Sequence, residues 1–485
     1  MNHYYKFIIL FSLSVTLLFA GMSSGTAGYV FKPKGYDGQL YDFFLPNGMK
    51  AIMMEKHSSP HVAVNIYYNM GSRDDPKGQK GITNIISKLY KMDSKNYTSK
   101  ERNRILTTLN AEHGLVYDRD IFYVNNYVHN EDIEKILKIE SDRMGSLIMD
   151  ENTLQKAKEK IKSQYILEKK QNAFFAFFDS LETVYWPEGH PYKTIPFGMM
   201  EQIDTISVQT IQEYFKTYFN PNNATIVIVG NIDPENTTKL IYNFFGHLES
   251  YSGIPPLVDL SSNKKFDPNE VIYLQQDTEE IPVFVNLFTI SYSGPSPREN
   301  DAIIFETIWD IMLIDLQSRG KIFNELTKKY VTTNYNIDNS ETLVKVDGGF
   351  FGANIFKKTN MKKAKKVVQN ALNLLIQEGF DIETIDQFKK KTLLKSYKDE
   401  KNYSYLAKNI GFAELIRGDY KMYGNKIEIL KNLTNEDIKR VAKIYLSEER
   451  RMSITIDINQ YKWAYKIPSF FLNGILFPIV VLFSK

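Results

Sequence analysis

The sequence predicts an α+β protein of two homologous domains, each a sheet with helices packed on one face. Three observations lead there. The chain has 485 residues, more than one hydrophobic core usually organises, which points to roughly two to four domains. Hydrophobic residues make up 43% and charged residues 24%, ordinary globular usage that supports a sizeable core. The third observation is an internal repeat at a fixed, gap-free offset. Ile203, Ile206, Ile211, Phe215 and Phe219 recur as Leu430, Leu433, Ile438, Ala442 and Leu446, and the strand-like ATIVIVG recurs as RMSITID. In each copy a hydroxyl residue, Ser207 or Thr434, precedes the helical run as an N-cap would.

The elements follow in order. Residues 1–27 read as an export signal: Lys6, an apolar run from Phe7 to Ala20, then small residues around Gly25-Thr26-Ala27. The first domain is expected over 38–250. In it VAVNIYYNM (62–70) reads as a strand, QKGITNIISKLYKM (79–92) as a helix, DIFYVNNYV (120–128) as a strand and 152–170 as a long charged helix. Residues 251–270, with SGIPPLVDLSSNKK, read as a linker. The second domain, 271–458, repeats the alternation through VFVNLFTISY, AIIFETIWDIMLIDLQ and KKAKKVVQNALNLLIQEGF. The apolar tail 459–485 carries Pro468, Asn473 and Pro478 and is short for a helical span. Two fates stay open for it: membrane contact through 467–485, behind the belt of Tyr461, Trp463 and Tyr465, or packing on the protein.

The formal charge of +3 gives no electrostatic footprint for DNA or RNA, so no nucleic-acid partner is expected. There is no cysteine, which excludes disulfides, thiolate metal sites and thiol catalysis. A metal would need imidazoles and carboxylates, and the seven histidines are His3, His57, His61, His113, His129, His190 and His247. His57 and His61 stand four apart, but HSSPH contains Pro60 and leads into a strand, so they share no helical face. His190, before Pro191, reads as a turn residue. His113 reads as a loop residue or a peptide contact.

Five landmarks in order are LPNGMKAIM, VAVNIYYNMGSRDDPKGQKGITNII, NAEHGLVYDRDIFYV, GHPYKTIPFGMMEQIDTIS and YFNPNNATIVIVGNID. Together they resemble the pitrilysin/insulinase family of zinc peptidases, in the short form related to mitochondrial processing peptidase, over residues 38–458. The resemblance implies an inverted His-x-x-Glu-His on the helix after Gly81. Here Asn84 and Lys88 stand at the two histidine places and Ser87 at the glutamate place. A third ligand and a supporting carboxylate are implied on the later charged helix, where Gln164 and Ala157 stand; a slip of that helix would bring in Glu159 or Glu168. An amide, a hydroxyl and an ammonium do not perform the family's zinc chemistry, so no cofactor is expected, with zinc only if the site is displaced.

The resemblance further implies a peptide-binding strand edge at Asn110 and Ala111. It also implies that such chains work as pairs, one with zinc and one without, the zinc-free member supplying an arginine and a tyrosine from its second domain. Those places hold Thr327 and Asn334 here, with Tyr335 adjacent and Arg319 a conceivable substitute. The expected function is a catalytically degenerate subunit of a zinc-bearing homologue, acting on peptide or unfolded protein. Its expected compartment is the bacterial periplasm, with membrane association through the tail as an addition. The alternatives are an active metalloendopeptidase with displaced ligands and a membrane-tethered scaffold.

Overall fold

The computed structural model describes residues 30–31, 39–171, 186, 188–256, 271–274, 285–327, 334–341, 346–355 and 361–458. The export signal, most of the linker and the apolar tail lie outside the described residues. The chain divides into two compact units, the first formed by residues 1–168, 182–262 and 391–431, the second by the remainder.

The first unit is built on a seven-stranded sheet. Its strands are β1 (Val30–Phe31), β2 (Gln39–Phe44), β3 (Lys50–Glu55), β4 (His61–Tyr68), β5 (Glu112–Tyr117), β6 (Phe122–His129) and β7 (Ala224–Gly230), in the spatial order β1-β2-β3-β7-β4-β6-β5. Strand residues alternate between two faces, and here both faces are buried. Ala51, Met53, Val62, Val64, Ile66, Tyr68, Ile226 and Ile228 belong to the core shared with the helices between residues 82 and 245. Their neighbours Ile52, Met54, Ala63, Tyr67, Val227 and Val229 belong to a second core on the opposite face. That second core is closed by the helix Tyr403–Ile416 through Leu406, Ala407 and Ile410. Tyr67, buried on both sides, donates its hydroxyl to Ala407 O at 3.1 Å, and Gly411 leaves room for the Tyr67 ring, from which a Cβ would lie 2.2 Å.

Two expectations change here. The first sheet carries helical cover on both faces, and residues 391–431, expected within 271–458, pack with the first unit. The physical reason is the apolar run of β7. Ile226 to Val229 are consecutively apolar, and a strand of that kind needs cover on both sides.

The second unit holds a five-stranded sheet of β8 (Val271–Leu274), β9 (Val285–Ser293), β10 (Asn334–Glu341), β11 (Val346–Ile355) and β12 (Arg451–Ile458), in the order β10-β11-β9-β12-β8. Its core centres on the helix Asn300–Ser318, where Phe305 and Trp309 are fully buried. Arg440 on the helix Asn435–Tyr445 clamps Asp301 with two bonds of 2.9 and 2.8 Å.

The repeat is a repeat of structure. The helices Val208–Tyr218 and Asn435–Tyr445 each start at a hydroxyl cap, with Ser207 accepting from Thr210 N and Thr434 from Asp437 N, both at 3.2 Å. A single 3₁₀ turn follows each, then a strand. β7 runs parallel to β3 and antiparallel to β4; β12 runs parallel to β8 and antiparallel to β9. The order β5-β6-β4-β7-β3 is thus matched place for place by β10-β11-β9-β12-β8.

Candidate functional site

The helix Ile82–Leu89 is aimed by its sequence. Ile82, Ile85, Ile86 and Leu89 are fully buried and fix one face against the sheet. Its start is fixed by Asp75, whose carboxylate accepts from Gly81 N at 2.7 Å and from Thr83 N and Thr83 Oγ1 at 3.2 and 2.5 Å. Gly81 (φ 111°) and Gly198 (φ 88°) lie against each other: a Cβ on Gly198 would sit 2.3 Å from Gly81 Cα. The loop through Phe197 therefore lies directly over the first turn.

Burial raises the Asp75 carboxyl to about 6, against hydrogen bonds from Thr83 and Gly81 that lower it. A carboxyl whose folded pKa exceeds its ordinary 3.8 contributes stability that is full at lower pH and is lost as pH rises through about 6. Asp75→Asn is expected to flatten that part of the stability curve between about pH 4 and 6. Urea midpoints measured across the range, with an unchanged slope in the variant, would reject it.

The side chains at the family's zinc places do meet. Lys88 Nζ donates to Gln164 Oε1 at 2.9 Å, across from the helix Glu151–Gln171. Asn84 is fully buried and donates Nδ2 to Phe197 O at 3.0 Å, anchoring the overlying loop. Ser87 donates to Asn84 O at 2.6 Å. Burial, then Lys91 and Lys160, pushes the half-buried Lys88 ammonium down from its ordinary value. Ala157 is fully buried in the core. Glu159 is exposed and accepts from Gln155 at 3.1 Å on its own helix.

This donor set does not fit zinc. The site offers an amide already spent on a backbone carbonyl, a hydroxyl, an ammonium and a second amide, with no imidazole or carboxylate among them. Among the described residues, no three histidine, aspartate or glutamate side chains converge as a metal centre elsewhere. His57 bonds Asn231 and Glu55, while His61, the first residue of β4, stacks on Tyr127 at 5.0 Å. His190 stacks on Trp186 at 4.3 Å and accepts from Tyr192 N, a turn residue as expected.

Asn110 and Ala111, expected at a peptide-binding edge, directly precede the last strand of the first sheet among the described residues. Asn110 (φ 49°) and Ala111 form the turn after the helix Ser99–Thr108, and the edge strand itself is Glu112–Tyr117. His113 lies on that strand, exposed, rather than in a loop. The period of two from Leu115 to Tyr117, both packed against the helical core, was the signal that would have marked Tyr117 as facing the site. In the second unit Thr327 ends the helix Lys321–Thr327, and Asn334 and Tyr335 open β10 opposite Ala353 and Gly352. Arg319 is the exposed, left-handed cap (φ 58°) of its helix.

Two sheets of matching topology, with helices of the first crossing at Lys88 and Gln164, define a pitrilysin-like pair of domains. The chain belongs to the insulinase family: the family model "Insulinase (Peptidase family M16)" matches residues 50–178, and "Peptidase M16 inactive domain" matches residues 205–392. The zinc protease PqqE of Helicobacter pylori is 22% identical over 313 residues, covering 64% of this chain and 67% of that protein. The chain spans only 38% of the longer zinc protease PqqL of Escherichia coli. Among solved structures, a protease from Helicobacter pylori superposes with a TM-score of 0.74 at 17% identity, covering 88% of this chain and all of that one. The first half of the periplasmic protease PqqL from Escherichia coli gives 0.68 at 13% identity, covering 89% and 94%. No helix among the described residues is long and apolar enough to cross a membrane.

Proposed function

We propose that this chain is a zinc-free member of its family that pairs with a zinc-bearing homologue and helps it hold peptide or unfolded protein. The observation that carries the reading is the Lys88–Gln164 contact. It puts a cation where the family resemblance puts a dication, between the two helices that would have held it. The first unit's helices and sheet are fully packed around this replacement, so a wall and an edge strand persist without the chemistry. An exported, periplasmic location fits the N-terminal sequence and the likeness to the periplasmic protease PqqL of Escherichia coli.

Purification of the full chain from its native envelope fraction tests the proposal. The expected result is co-purification with a zinc-bearing family member, an interface of more than about 2,000 Å² if the pair is obligate, and no zinc in this subunit after separation. Recovery as a monomer with no such homologue removes the partner reading. One tightly held zinc in the isolated chain would instead establish a displaced metal site.

A further inference from the structure

The Lys88 ammonium is half-buried, its acceptor Gln164 is neutral, and the fields of Lys91 and Lys160 disfavour its charge. No carboxylate pairs with it among the described residues. A partly desolvated cation among neutral acceptors and other cations is missing its counter-ion, and an arriving anion relieves that cost. Beside it runs β5, among the described residues the last strand of its sheet and hydrogen-bonded to β6 on one side only. Its other edge presents backbone donors and acceptors for an added strand. Leu115 and Tyr117 of β5 face the helical layer, against the helix that carries Lys88. A strand added at about 4.8 Å from β5 would turn alternate side chains to that same face.

We propose that this site takes an extended peptide segment bearing an aspartate or glutamate, whose side-chain carboxylate pairs with Lys88 while its backbone adds to β5. The inference rests on the zinc-free reading above and narrows its peptide class to acidic segments.

The test uses the full chain and short dye-labelled peptides with both ends blocked, differing at one central position as Glu, Gln or Lys. A fourth peptide carries Gln and a free C-terminal carboxylate. Fluorescence anisotropy is expected to show the Glu peptide binding about tenfold tighter than the Gln peptide, with the Lys peptide weakest. Lys88→Gln should abolish that preference, and Lys88→Arg should keep it. Circular dichroism melts establish that both variants fold. Equal binding of the Glu and Gln peptides, a preference that survives Lys88→Gln, or no binding at all overturns the proposal. So does tight binding of the fourth peptide alone, which would assign the site to a chain end. Zinc content measured on the same samples separates the two readings: bound zinc sinks the zinc-free assignment, whereas zinc-free protein without charge preference sinks only this inference.

Discussion

The chain carrying Asn84→His, Ser87→Glu, Lys88→His and Gln164→Glu together is expected to bind one zinc ion per molecule, while each single change leaves the metal content at background. Residues 84 and 88 lie one helical turn apart, and Lys88 already touches Gln164 at 2.9 Å. Two imidazoles and a carboxylate introduced there would converge from two helices already packed in place. The ligands act as a unit, because any one of them alone leaves the ion mostly hydrated. The gain should also appear as stability: about 4 kcal/mol when free zinc is a thousand times its dissociation constant. Atomic absorption and thermal melts with and without zinc measure both. The Asn84–Phe197 bond is lost in the variant, so a small drop in apo stability is expected. If the protein folds and takes up no metal, the correspondence of these positions with the family's ligands is wrong.

The second large effect is at Glu140. This side chain is 1% exposed and accepts from Arg143 Nη1 at 2.9 and 3.0 Å and from Asn126 Nδ2 at 3.0 Å. Arg143 in turn lies 4.1 Å over the Tyr90 ring and donates to Tyr90 O from Nε and Nη2, holding the end of the helix that carries Lys88. Glu140→Ala would strand a buried guanidinium, an expected loss of about 3–5 kcal/mol. Replacing both partners by apolar residues, Glu140→Leu with Arg143→Met, should cost less than the single change, since no charge is left behind. Urea unfolding decides it, and a loss below about 1 kcal/mol for Glu140→Ala would show that the pair is solvated on unfolding fluctuations and does not anchor the helix.

What could be read in advance was what depends on local period and spacing. The helix Ile82–Leu89, β4, β6 and the matched helix–strand endings were visible because apolar residues recur at helical or strand period, and because a hydroxyl cap precedes each ending helix. The joining of residue 88 to residue 164 followed from resemblance alone, since no local pattern relates two helices so far apart. The cover on the far face of the first sheet went unread although its trace was present. Ile226, Val227, Ile228 and Val229 allow no polar side, but nothing in that run says which distant segment supplies the second layer. The start of β5 at Glu112, just after Asn110 and Ala111, was not legible for a similar reason: the left-handed Asn110 ends a turn, and the pattern alone does not distinguish that turn from the first residue of the strand.

The helix Tyr403–Ile416 also imposes an order on synthesis. Chains emerge at about 5–20 residues per second, so the first sheet is complete at Gly230 well before its covering helix leaves the ribosome. During that interval Ala63, Tyr67, Val227 and Val229 form an uncovered apolar surface on a sheet that is otherwise ready to fold. Closing that surface waits on the arrival of Leu406, Ala407 and Ile410 rather than on the completion of the strands they cover.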